Sequence, residues 1–292
     1  MKFSWEGSST SICHDNDGNL YVGSRRNVTV FNEIHEVVQT HSEYREVSSI
    51  EIHNQNIYMA YISQSLETSP KLQTTRLGRP PAPAKTTVAN LKVSEFSKKL
   101  EMDKVICSVG GVKRLTAAGN CLVALTSTVR QLYMIDTKSM LKKRIEFDSS
   151  TCIEDVKLLK ANCLLILLQQ TLVSYDIRRS MVIWRVELPT SLGTASLMCL
   201  AYQSYILILG EGNRIESSIA IVSMSGRVPI PYHRVSRLSV GGNKDATFFL
   251  IGQLLTNIKF RTDSTSKPTG MSMHDRELVI SFEDKRFVYR VK

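Results

Sequence analysis

Residues 153–188 read IEDVKLLKANCLLILLQQTLVSYDIRRSMVIWRVEL, and this stretch decides the fold. Ile153, Val156 and Leu158 open a first strand, and Lys160–Asn162 make a turn in which Asn tolerates tight backbone angles. Cys163-Leu164-Leu165-Ile166-Leu167-Leu168 is apolar on both faces, as suits a strand covered from both sides. After Gln169-Gln170 comes a third strand, Leu172-Val173-Ser174-Tyr175-Asp176-Ile177. The fourth, Val182–Leu188, alternates apolar and charged residues, the pattern of a half-exposed outer strand. Four short strands in about forty residues read as one blade of a β-propeller.

The unit recurs on both sides. In Val112–Phe147, Cys121–Leu125 matches the doubly apolar strand, Leu132–Asp136 the third and Leu141–Phe147 the outer one. In Ser196–Ile230, Tyr205–Leu209 and Ile219–Val222 fill the second and third places, and no fourth strand is evident. Weaker copies flank these: Ser11–Ser42, introduced by the hairpin signal Asp15-Asn16-Asp17-Gly18, then Val47–Phe96, Arg234–Thr262 and Pro268–Lys292. The last copy runs out after about three strands, and Phe3-Ser4-Trp5-Glu6 can supply the missing outer one. Pairing the two termini would remove an exposed sheet edge. The expected fold is therefore all-β: a single β-propeller spanning 1–292, closed by an N-terminal strand paired with the last blade. At about forty residues per blade the length gives about seven four-stranded blades, or six if one weak copy is irregular. A β-sandwich also uses short strands and regular turns, but the repeat spacing and the closing strand favour the propeller.

On this architecture, along nearly its whole length, the chain resembles the WD40-like propellers. The motif match is loose. No Gly-His pair opens the blades and no Trp-Asp ends a third strand; Tyr175-Asp176 and Ile135-Asp136 stand nearest to it. The resemblance implies a non-catalytic scaffold, a protein-interaction subunit of an intracellular complex.

Composition sets further bounds. The chain is 42% hydrophobic with mixed charge, which suits a folded globular protein. No apolar run is long enough to span a bilayer, and the first residues hold no apolar signal core, so the expected location is inside the cell, cytoplasm or nucleus. The cysteines at 13, 107, 121, 152, 163 and 199 form no C-x-x-C pair and several lie in apolar strands, which points away from zinc or redox chemistry.

The net charge of +10 is concentrated. From Lys71 to Arg114 there are ten basic residues against Glu95, Glu101 and Asp103. The stretch includes Gly78-Arg79-Pro80-Pro81-Ala82-Pro83, where proline lacks the N–H that a ladder needs. It reads as a basic, proline-containing insertion at about 71–111, a loop without a partner or an arm for an acidic protein segment, nucleic acid or anionic membrane. Arg76, Arg79, Lys85, Lys98 and Lys99 are its candidate contacts. The segments Gly210–Ser217 and Thr262–Pro268 are further candidate contact loops.

Catalytic signatures are missing: no phosphate-binding glycine loop, no G-x-S-x-G, no H-E-x-x-H. Cys13-His14 reads as a strand end. In Asp15–Gly18 the twelfth position of a calcium loop would be Arg26, which repels the ion, so a hairpin is expected. We expect no enzyme activity, no cofactor and no metal. Aromatic residues such as Tyr58, Tyr133 and Trp184 have apolar neighbours and read as packing rather than as base-stacking platforms. One short motif carries a partner expectation. Tyr175-Asp176-Ile177-Arg178 resembles the Trp-Asp-x-Arg box by which some WD40 proteins dock on the adaptor of cullin-4 ubiquitin ligases, with Tyr in place of Trp. Arg178 would offer its guanidinium fork to adaptor carboxylates; alternatively Asp176 caps a turn and Arg178 is a solvated charge. Two further readings thus stand beside the scaffold: a basic nucleic-acid or anionic-surface binder, and a substrate receptor of a cullin-4 type ligase.

Overall fold

The computed structural model describes residues 2–6, 8–42, 44–63, 90–97, 102–127, 131–147, 151–201, 205–211, 216–224, 253–261 and 266–290. They form a single β-propeller of six four-stranded antiparallel blades. The chain enters through β1 (Lys2–Glu6). Blade one is β2 (Ser11–His14), β3 (Leu20–Gly23), β4 (Val28–Phe31) and β5 (Val37–His41). Blade two is β6 (Tyr44–His53), β7 (Asn56–Ser63), β8 (Asn90–Phe96) and β9 (Met102–Gly110). Blade three is β10 (Val112–Ala118), β11 (Cys121–Thr126), β12 (Leu132–Asp136) and β13 (Lys142–Ile145). Blade four is β14 (Ile153–Lys160), β15 (Cys163–Leu168), β16 (Thr171–Asp176) and β17 (Met181–Glu187). Blade five is β18 (Thr194–Ala201), β19 (Tyr205–Glu211), β20 (Glu216–Ser223) and β21 (Gln253–Arg261). Blade six is β22 (Pro268–His274), β23 (Glu277–Phe282) and β24 (Lys285–Arg290), with β1 as its outermost strand.

The doubly apolar strands sit where their pattern demands. In β15, Leu164, Ile166 and Leu168 pack toward blade three while Leu165 and Leu167 pack toward blade five. In β11, Val123 and Leu125 face blade four, and Leu122 and Ala124 face blade two. Each pair of adjacent blades shares one such apolar layer. Ile12, Leu20, Val22 and Phe31 of blade one meet Val279 and Val288 of blade six in the same way. The first strands lie side by side around the ring: β6 next to β2 and β10, β14 next to β10 and β18, β22 next to β18 and β2. Lys2 pairs with Tyr289 and Glu6 with Lys285, so residues from opposite ends of the chain complete one sheet.

Six blades replace the expected count of about seven. Of the expected copy Arg234–Thr262, residues 234–252 lie outside the described residues. Its part 253–261 is the outer strand of blade five, paired from Ser223↔Gln253 to Glu216↔Arg261. The unit Ser196–Ile230 lacked a fourth strand of its own, and the open edge of β20 takes one from further along the chain. Residues 64–89 and 225–252, 26 and 28 residues long, each join two strands within a blade and lie outside the described residues. Together they exceed one blade's length, which is why dividing the chain length by forty overcounts.

The basic stretch is corrected in its second half. Residues 90–96 and 102–110 of the expected insertion are β8 and β9, paired from Asn90↔Gly110 to Phe96↔Met102. The contact loop Gly210–Ser217 is strand at both ends: Gly210 pairs with Ser218 and Glu211 with Ser217, while 212–215 lie outside the described residues, as do 262–265 of the Thr262–Pro268 segment.

Candidate functional site

The first strands carry polar side chains that stitch one blade to the next. Ser11 Oγ accepts the N–H of Ile50 (3.0 Å), Ser49 Oγ that of Leu115 (2.8 Å), and Thr116 Oγ1 that of Leu158 (2.8 Å). Asp155 Oδ2 accepts from Met198 (2.8 Å) and Ser272 Oγ from His14 (3.1 Å). These five bonds run from blades one, two, three, four and six to the blade that follows. Ser196 in blade five instead donates to Leu209 O within its own blade (3.3 Å).

Ionisable groups gather among these stitches. Lys157 Nζ of blade four reaches past blade three to Glu51 Oε2 of blade two at 2.7 Å. Thr116 Oγ1 donates to Glu51 Oε1 at 3.4 Å, and Arg114 Nε lies 3.5 Å from Asp155 Oδ1. Burial alone would lower the Lys157 ammonium, but Glu51, with Cys13 and Asp155, holds it above its ordinary value. Burial, then the Glu51 charge, pushes the Cys13 thiol up to about 12, and burial pushes Cys199 up to about 12. Both thiols are therefore protonated at neutral pH and poor nucleophiles. Burial, then the neighbouring His274 and His35, lowers His14 to about 3. Cys13-His14 is a strand end, as read from the sequence: the thiol points to the His14 carbonyl (3.5 Å) and His14 Nδ1 meets Ser272 Oγ (3.0 Å).

Asp15 behaves as a hairpin residue. Its Oδ1 accepts the N–H groups of Asp17 (2.9 Å) and Asn19 (2.8 Å), and its Oδ2 accepts Asn19 Nδ2 (2.9 Å). Among the described residues no three His, Cys, Asp or Glu side chains are arranged to hold a metal ion, and all six cysteines are free thiols.

A groove of about 620 Å³ opens between blades three and four, at the end of the blades where β12 turns into β13 and β16 into β17. Its apolar lining includes Met134, Ile145 and Ile177; its charged lining is Asp136, Lys143, Arg144, Glu146 and Arg178. Met140 and Leu141 stand exposed on the β12–β13 turn, and Met181, Val182 and Ile183 on β17. Leu141 is 73% exposed and Ile183 52%.

The structure separates the three residues of the expected docking box. Tyr175 is buried; its hydroxyl donates to the Glu146 carbonyl of blade three at 2.5 Å and its ring meets Phe147 edge-on. Asp176 Oδ1 accepts the N–H groups of Arg178 (2.9 Å) and Arg179 (3.0 Å), closing the β16–β17 turn. Arg178 is exposed and lines the groove. Arg76, Arg79, Lys85, Lys98 and Lys99 lie outside the described residues. Lys104, from the same basic stretch, is held on blade two by Glu95 (3.0 Å) and donates to Thr137 O of blade three (2.9 Å). Sequence reasoning missed Lys143 and Arg144 as groove residues. Their signal is three consecutive cations, Lys142–Arg144, in a stretch that the repeat marks only as an outer strand.

No protein-family model matches the chain, and no curated protein matches it in sequence. Solved structures match its fold. The β-propeller domain of Myceliophteria thermophila Cps50 (Swd1) aligns over 100% of this chain and 99% of its own, with a TM-score of 0.59 and 12% identity. A chain of the mitotic checkpoint complex aligns over 99% of this chain and 95% of its own, at 0.56 and 10%. Virginiamycin B lyase from Staphylococcus aureus aligns over 100% of both, at 0.55 and 9%. Identities this low establish the fold alone, and that fold is a β-propeller. One of these three is a lyase, so the fold leaves activity open.

Proposed function

We propose that this propeller is a non-catalytic interaction subunit of an intracellular protein complex. The observation that carries this reading is the contrast between its two polar regions. Along the first strands the ionisable groups engage one another and the thiols are held protonated. At the hairpin ends of blades three and four, apolar side chains face solvent and cations line an open groove. Rigid blades that hold such a surface suit binding rather than bond chemistry. Six unpaired cysteines agree with a reducing compartment.

The test is affinity purification of the intact chain, with nuclease treatment and a high-salt wash. Two variants run beside it: Leu141→Asp with Ile183→Asp, and a deletion of residues 66–88. That deletion spares β7 and β8, whereas one reaching residue 104 would remove blade-two strands. A protein set that survives nuclease and salt, and is lost with the double substitution, is the expected result. Recovery of nucleic acid alone, lost with the deletion, would sink the reading; it would make Arg76, Arg79 and Lys85 the contacts of an electrostatic binder.

We also infer that β1 is the strap that closes the ring. It covers the edge of β24, which would otherwise present unpaired N–H and C=O groups.

A further inference from the structure

Cations and carboxylates around the blade three–four groove are used very differently. Asp136 Oδ1 accepts the N–H groups of Lys138 (3.0 Å) and Ser139 (2.7 Å). These contacts, Ser139 foremost, hold its carboxyl below the usual range. Asp176 is spent in the same way on the β16–β17 turn. Both carboxylates are thus engaged, Asp136 by backbone and Asp176 by backbone and, at 4.0 Å, by Arg179 Nε. Lys143, Arg144 and Arg178 line the groove without an ion-pair partner among the described residues. Lys138, Lys142 and Arg179 extend the positive field along both turns, with Lys142 Nζ over the Tyr133 ring at 5.1 Å. Among the described residues, Glu146 is the one lining carboxylate outside a turn.

The floor between these cations is apolar, made by Met134, Ile145 and Ile177. Cys121 adds a thiol that burial, then Asp136, pushes up to about 11, so it is inert at neutral pH. Along one side runs β13, which among the described residues pairs only with β12 and is the outer strand of its sheet.

We propose that this groove binds an extended acidic segment of a partner protein, with apolar side chains seated on the floor and carboxylates paired to Lys143 and Arg178. The proposal rests on the interaction-subunit reading and names the chemistry of one contact within it. Charge complementarity selects an anionic ligand. The apolar floor and the exposed Leu141 and Met181 select a polypeptide over a phosphodiester backbone, which would leave that surface unused. An outer strand favours an extended partner, since main-chain pairing adds to side-chain seating.

The experiment measures fluorescence anisotropy of a labelled peptide of about twelve residues, repeating Asp-Leu-Glu-Phe, titrated with the full chain. Saturable binding is expected. Lys143→Glu, and separately Arg178→Glu, should each weaken it ~10-fold or more, as loss and reversal of close charge pairs does. Arg276→Glu, an exposed charge on blade six, should leave it within ~2-fold. Replacing Leu and Phe of the peptide by Ser should cost ~10-fold on the unaltered protein, a readout that needs no variant to fold. Equal affinity for the Ser peptide overturns the proposal, as does charge reversal without effect. Tighter binding of a single-stranded oligonucleotide of equal charge, abolished by the same substitutions, also overturns it and makes the groove a nucleic-acid site. A partner set retained by the Lys143→Glu protein in the purification above would leave the interaction-subunit reading standing while this groove assignment fails.

Discussion

Thr116 shows how much one hydroxyl does in a ring of repeated strands. It accepts the Leu158 N–H of the next blade and donates toward Glu51, at a site closed to solvent. Thr116→Val keeps the shape and strands a buried donor, so unfolding free energy should fall by ~1–3 kcal/mol in urea titration. A fall below a few tenths would mean that the stitch is replaceable. The Glu51–Lys157 pair is costlier to break than to delete, because one partner left behind is an uncompensated buried charge. Lys157→Met should cost ~3 kcal/mol, the low end for a buried pair because a fifth of the side chain is exposed. Glu51→Gln with Lys157→Met should cost less than the two single changes summed. Because the folded Lys157 value is raised, its contribution is complete below the ordinary lysine value and is lost as pH rises through the folded one. His14 has the opposite sense. Lowered to about 3 when folded, it stays neutral while the unfolded chain binds a proton below about 6.5. Stability should therefore drop on acidification by up to ~1.4 kcal/mol per pH unit from this group. Thermal melts between pH 6.5 and 4.5 should show a shallower loss for His14→Gln, and identical slopes would remove His14 from the account.

At the scale of the strand, outer edges are managed by irregularity as well as by charge. In blade four, Ser174 pairs with Trp184 but Tyr175 with Val182, which leaves Ile183 as a bulge. Blade one does the same at Val38, between Val30↔Gln39 and Phe31↔Val37. Bulges kink an edge strand and discourage indiscriminate pairing, which lets blade four expose apolar side chains there. β19 carries a different constraint. A Cβ on Gly210 would lie 2.0 Å from the Leu192 carbonyl oxygen, in the short 3-10 turn that leads into blade five. Gly210→Ala must push backbone apart and should cost ~1–3 kcal/mol, read as a lowered midpoint in thermal unfolding. A neutral result would show that the turn moves aside freely. Residue 210 sat in a stretch that looked like a charged loop; only its close approach to Leu192 reveals why glycine stands there.

For the whole molecule, adjacency of every blade to two others is what distinguishes a ring from a linear repeat array. Blade six meets blade one through the apolar layer around Ile12 and Val288, through Ser272 and His14, and through Arg286 lying 5.1 Å over the Phe31 ring. Removing residues 2–6 takes away the fourth strand of that blade. The shortened chain should melt lower and self-associate through the bared β24 edge, seen as a larger species by light scattering. A monomer with an unchanged melt would refute the strap.

Strand character, the doubly apolar second strands and the outer-strand polarity were legible in the sequence, because each depends on the alternation of neighbouring residues. So were the pairing of β1 with the last blade and the turn role of Asp176. Blade number was not legible, since the partner of β20 is chosen by an open edge and lies some thirty residues away. The meeting of Glu51, Thr116 and Lys157 was hidden for the same reason: strands separated by 65 and then 41 positions converge only when the blades assemble. Arg178 stood out as one residue of a motif, but its groove exists only because β13 of the preceding blade sets Lys143 and Arg144 beside it. Short-range patterning is written in consecutive residues, whereas contacts between blades depend on which edges and faces the propeller brings together.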